Sequence, residues 1–135
     1  LDGLGANCGV GASDLIASLI NMQSTGTKIP VIAKANCGIP EFIDGEIVYS
    51  GTCDLMHDYA QLAIDSGASI VGGCCGTTAE HVAAMRKGMD NHKKGAAPNL
   101  KQIEDVLGAM SEGSQKIAAG QMALPESRRA RRRSA

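Results

Sequence analysis

Five cysteines, an odd number, are the residues of this 135-residue chain best placed to do chemistry. Two are adjacent, in Gly72-Gly73-Cys74-Cys75-Gly76-Thr77-Thr78. Successive side chains on a strand point to opposite faces, so neighbouring thiols diverge within one. They converge only where a strand ends and the backbone turns, and the flanking glycines permit that turn. Cys8, in Gly5-Ala6-Asn7-Cys8-Gly9, and Cys37, in Asn36-Cys37-Gly38-Ile39-Pro40, sit at the same kind of strand end. Active sites of α/β barrels and open α/β sheets collect at the C-terminal ends of the strands. Cys8, Cys74 and Cys75 would therefore form a three-thiol group drawn from separate strands. As thiolates they carry three negative charges, which a buried site cannot hold without a cation. Zn²⁺ meets that need, and three protein ligands with an open fourth position mark a catalytic rather than a structural zinc. The competing readings are small buried thiols, a Cys74–Cys75 disulfide, and a vicinal dithiol in a redox protein. Cys37 reads as packing beside the site or in the core, Cys53 as structural, and His57, His81 and His92 as helix-surface residues. Asn7 reads either as a contact behind the thiols or as a strand-end hydrogen bond.

Short apolar runs and helical patterns must position these thiols. Leu4–Cys8 is a short strand. Leu15, Ile16, Leu19, Ile20 and Met22 predict a helix over Ala12–Gln23, capped by Ser13 or Asp14. Pro30–Ala35 reads as a buried strand, and residues 41–51 as a loop with a hairpin turn at Asp44-Gly45. Thr52 caps a second helix, whose inner stripe is Leu55, Met56, Tyr59, Leu62 and Ala63 and whose stop is Gly67. Ala68–Gly72 is a third strand, and Thr77 with Glu80 forms a capping box for a helix over 78–91. The order β-α-β-α-β-α argues for an α/β fold with a parallel sheet. After a break at 93–98, Asn99 caps an amphipathic helix over Leu100–Met110. From Ser111 onward the expectation is a polar, then basic, tail without fixed structure. The domain reading is 1–94 for the α/β unit and 95–135 for the helix and tail.

At 13.9 kDa the chain is long enough for one core and short of the roughly 250 residues of a closed (β/α)₈ barrel. Five arginines (Arg128, Arg129, Arg131, Arg132 and Arg133) crowd the last eight residues, leaving 8 of the 13 basic residues against all 14 acidic ones. The acidic body offers no nucleic-acid face, and the arginine tail reads as solvated. No apolar run reaches the roughly 18 residues of a membrane span. The chain begins at Leu1 rather than Met, and its biological start is expected upstream. The free-thiol pattern points to a reduced, cytoplasmic compartment. Phe42, Tyr49 and Tyr59 are the aromatics, too few for a stacked-ring site. The glycines of 3–11 fail the dinucleotide-binding spacing, because Cys8 and Asp14 stand where glycine is required.

Gly-Ala-Asn-Cys, then Asn36-Cys37-Gly38-Ile39-Pro40, then Gly-Gly-Cys-Cys-Gly-Thr-Thr-Ala-Glu-His, in this order, resembles the homocysteine S-methyltransferase family over residues 3–92. The resemblance implies the C-terminal βαβαβα portion of a (β/α)₈ TIM barrel, incomplete in this chain. It implies that Cys8, Cys74 and Cys75 bind Zn²⁺, with the homocysteine thiol in the fourth position. Zinc coordination deprotonates a thiol, and the thiolate attacks an activated methyl group to give methionine. Asn36 matches the residue that can occupy the open zinc position before homocysteine arrives. The resemblance implies five preceding strands outside this chain, and with them the family's acidic residues that hold the homocysteine amino group. The pattern Ile-Ala-Lys-Ala-Asn-Cys-Gly-Ile-Pro favours betaine or a related donor, although a quaternary ammonium donor prefers an aromatic cage. Alternatives are the homocysteine domain of a cobalamin/folate-dependent methionine synthase, an S-methylmethionine-dependent enzyme, and an inactive metal-binding fragment. Open sheet edges would favour a partner or a homo-oligomer, and the chain alone is expected to be inactive.

Overall fold

The computed structural model describes residues 1–9 and 11–119. The arginine tail lies outside the described residues. Three parallel strands, β1 (Leu4–Asn7), β2 (Val31–Ala35) and β5 (Ile70–Gly73), form one sheet in the order β1-β2-β5. Leu4 pairs with Val31 and Asn7 with Lys34, while Ile32 pairs with Ile70 and Ala35 with Gly73. Helices α1 (Ala12–Ser24) and α2 (Cys53–Asp65) fill the crossovers, and α3 (Ala79–Asp90) follows β5. Val31, Ala33 and Ala35 share one core with Leu15, Ile16 and Leu19 of α1 and with Met56, Tyr59, Ala60 and Ala63 of α2. The side chains between them, Ile32 and Lys34, lie on the opposite face, where Gly5, Asn7 and Lys34 are exposed. No helix among the described residues is long and apolar enough to cross a membrane.

An antiparallel hairpin, β3 (Pro40–Ile43) and β4 (Glu46–Tyr49), stands between β2 and α2. Its turn is Asp44-Gly45, with φ of 51° and 87°. Positive φ at both central residues suits the twist of a tight hairpin. Thr52 caps α2, its Oγ1 accepting the Leu55 N–H at 3.1 Å.

The start of α1 departs from expectation. Its cap is Gly11, without a side-chain bond. Ser13 and Asp14 are buried and spent elsewhere: Ser13 Oγ donates to the Gly108 carbonyl at 2.8 Å, and Asp14 Oδ1 accepts from Ser111 N–H and Oγ at 3.1 and 2.7 Å. The capping box of α3 is one residue later than expected. Thr78 is the cap and His81, not Glu80, is its partner, with Nδ1 accepting the Thr78 N–H at 3.0 Å. Helix α4 (Leu100–Leu107) has the expected Asn99 cap but stops at Gly108, where φ is 93°. Ser111 does not open an unstructured tail: it caps α5 (Glu112–Ala118). Ile103, Leu107 and Met110 join the main core, so this C-terminal segment packs on the α/β unit.

Candidate metal centre

The backbone turns at the strand ends bring three thiols together. Cys8 follows β1 with φ of 66°, in the left-handed region that non-glycine residues rarely occupy. Its N–H still donates to the Lys34 carbonyl at 2.9 Å, so the neighbouring strand fixes the turn. Cys74 and Cys75 follow β5. Cys74 N–H donates to the Ala35 carbonyl at 2.8 Å, and the Cys75 carbonyl accepts from Cys37 N–H at 2.9 Å. Both cysteine turns are thereby hung on the end of β2.

Cys75 Sγ lies 3.8 Å from Cys8 Sγ and 3.8 Å from Cys74 Sγ. All three sulfurs lie within 4.8 Å of one another. Two sulfurs each about 2.3 Å from a tetrahedral zinc are about 3.8 Å apart. Two edges of the triangle therefore already have the length that a shared zinc demands, and the soft thiol donor set suits that ion. None of the five cysteines is in a disulfide, so the Cys74–Cys75 bridge is not formed.

Asn36 is 1% exposed and lies between the two cysteine turns. Its Nδ2 donates to the Gly9 carbonyl at 3.0 Å, and its Oδ1 accepts the Cys75 N–H at 3.2 Å. The carboxamide thus touches the loops that carry Cys8 and Cys75. Cys37 is fully buried and touches the site through its backbone, while burial, then the nearby Cys53, pushes its thiol upward. Asn7 ends β1 and is exposed.

The thiols differ electrostatically. The Gly9 backbone N–H, then the Cys75 and Cys74 thiols, hold Cys8 below the ordinary thiol value. Burial, then hydrogen bonding with Cys75 and Cys8, pushes Cys74 above it. Tyr49, at the end of the hairpin, faces Cys75, which raises its phenol. An alanine methyl at Gly76 would run into the Tyr49 ring. Sequence spacing did not reveal Tyr49, because 26 positions separate it from Cys75 and only the hairpin brings it back.

The histidines stay away from the thiols. His57 pairs with Asp58 at 2.8 Å, and His81 caps α3. His92 is not a helix-surface residue: it follows α3, half-buried, with Nε2 2.8 Å from Asp65 Oδ1.

Residues 1–89 match the profile of the homocysteine S-methyltransferase family. A protein named methionine synthase from Mycobacterium leprae (strain TN) is 30% identical over 99 residues, 73% of this chain. A methionine synthase from Mycobacterium tuberculosis (strain ATCC 25618 / H37Rv) is 32% identical over 95 residues, 70% of this chain. Each match spans 8% of the relative's own length. With its family motifs gathered at the ends of three parallel strands, the chain belongs to the homocysteine S-methyltransferase family.

Proposed function

We propose that this chain is the thiol-binding end of a zinc-dependent enzyme that transfers a methyl group to homocysteine and yields methionine. The observation that carries the reading is the Cys8–Cys75–Cys74 triangle, with its two 3.8 Å edges, in a chain of this family. Residues 1–94 are then the C-terminal part of a (β/α)₈ barrel. The three-stranded sheet with helices on one face supports this, since parallel sheets normally have both faces covered.

Cys8, Cys74 and Cys75 would hold the zinc. When bound, zinc supplies the positive charge that keeps a substrate thiol deprotonated near neutral pH. The chain's own residues do the positioning. The β2 carbonyls of Lys34 and Ala35 fix the backbone of Cys8 and Cys74. Asn36 sets the spacing between the Cys8 and Cys75 loops, and its Oδ1 is the oxygen nearest in kind to a displaceable fourth ligand. Tyr49 walls the side of Cys75. The free thiols suit a reducing cytoplasm.

The methyl donor is betaine or a related small molecule. A second reading, the donor system of a methionine synthase, is favoured by the names of both relatives. The full-length protein supplied with labelled methyl donors and homocysteine distinguishes them. Methionine should form with one donor class, and Cys75→Ser should abolish both product and bound zinc. Full turnover by Cys75→Ser would contradict the mechanism.

A further inference from the structure

Strand β2 carries a charge where a parallel strand should have none. The three parallel strands read Leu-Gly-Ala-Asn, Val-Ile-Ala-Lys-Ala and Ile-Val-Gly-Gly. Lys34 is their one charged residue, and it stands in the central strand. Parallel strands are normally near-continuous apolar runs, and breaks in such local rules concentrate at functional sites. Lys34 points to the helix-free face, between Asn7 on β1 and Gly72 on β5. Its stem runs along Gly72, where a methyl group would lie 3.6 Å from Cγ and 4.0 Å from Cε. The lysine stem thus lies within van der Waals reach of β5 at Gly72, two residues before Cys74. Asn36, whose carboxamide bonds the Cys75 turn, follows two residues after Lys34, just past the end of β2.

Lys34 also lacks an anion. Among the described residues no carboxylate lies within ion-pairing distance of it, while Arg86, Lys101 and Lys116 are paired on their own helices. The other described cations sit on α3 to α5 or in the loops before β2 and after α3. A lysine on a face that a parallel sheet must cover needs a negative partner.

We infer that Lys34 holds the α-carboxylate of the thiol amino acid whose sulfur is received by Cys8, Cys74 and Cys75. The inference rests on the proposed homocysteine reading and deepens it: the substrate class becomes a thiol carrying a carboxylate, not any small thiol. Lys34 is a binding residue, and it has no part in the transfer step. A flexible four-carbon stem with a point charge suits such an anchor.

The test is calorimetric binding to the full-length, zinc-loaded protein. The ligands are L-homocysteine and 3-aminopropane-1-thiol, which is homocysteine without its carboxylate. The wild type should bind homocysteine more tightly. Lys34→Met should weaken homocysteine on the order of 10- to 100-fold, leave the aminothiol unchanged and keep the zinc. Lys34→Arg should recover part of the loss. Equal weakening of both ligands, or no effect on homocysteine, would overturn the inference. Should Lys34→Met not fold, the wild type still decides: equal affinity for the two thiols overturns the carboxylate anchor and leaves the zinc–thiol reading intact. Binding of neither thiol by zinc-loaded wild type would instead overturn the homocysteine reading, and the inference with it.

Discussion

The side-chain carbonyl of Asn36 accepts the backbone N–H of Cys75 at 3.2 Å. The same carboxamide donates to the Gly9 carbonyl at 3.0 Å, one residue beyond Cys8. One buried side chain therefore sets the distance between two thiol-bearing turns. Asn36→Ala removes both bonds and takes their partner from the Cys75 N–H and the Gly9 carbonyl. Loss of a group that orients metal ligands typically costs 10- to 100-fold in metal affinity. We expect a fall of about that size in zinc affinity, read by competition with a chromogenic chelator. Asn36→Asp keeps the acceptor but loses the donor, and should fall between.

Tyr59 ties the sheet together from behind the thiols. Its hydroxyl accepts the Ala35 N–H at 3.2 Å and donates to the Gly72 carbonyl at 3.3 Å. The ring is fully buried, and burial drives its phenol far above the ordinary value. Tyr59→Phe strands a buried N–H on β2. Urea denaturation should show a loss of about 1–3 kcal/mol.

Gly76 tests the wall beside Cys75. Its φ is 74°, and the Tyr49 ring occupies the space of a side chain. Gly26 has nearly the same φ, 75°, with open space around it. Gly26→Ala should cost only the left-handed backbone penalty, about 1–2 kcal/mol. Gly76→Ala should cost more in the same melt and should also loosen zinc. Equal costs would mean that Tyr49 yields freely.

The thiols should ionise in a set order in the metal-free protein. The Gly9 N–H lowers Cys8, whereas burial raises Cys74 and Cys37. A lowered folded value favours the thiolate, so the Cys8 contribution to stability is present above the ordinary thiol value and is lost as pH falls through the folded one. The raised values of Cys74 and Cys37 act oppositely: their contribution is present below the ordinary value and is lost as pH rises through the folded one. Alkylation by iodoacetamide, followed by peptide mass spectrometry, should label Cys8 at lower pH than Cys74. Simultaneous onset would contradict the assigned environments.

Much of this arrangement is written locally. The period of Leu55, Met56, Tyr59, Leu62 and Ala63, the Thr52 cap and the Asp44-Gly45 turn each depend on neighbours in sequence, and each forms as the residues suggest. The three thiols were legible because adjacent cysteines between glycines make sense only at a strand end. The start of α1 was not, because Ser13 and Asp14 are claimed by Gly108 and Ser111, 95 and 97 positions away. The clamp made by Asn36 was hidden for the same reason: its partners Gly9 and Cys75 lie in the turns after two other strands, far away in sequence. Helix α5 was missed because its small, polar residues carry little apolar period, and its start depends on the Ser111 cap.

Zinc K-edge X-ray absorption on the full-length protein tests the central claim most directly. The account predicts one zinc bound by three sulfurs at about 2.3 Å and one lighter ligand, with a fourth sulfur appearing when L-homocysteine is added. A zinc shell of nitrogen and oxygen alone, or a shell unchanged by homocysteine, would contradict it.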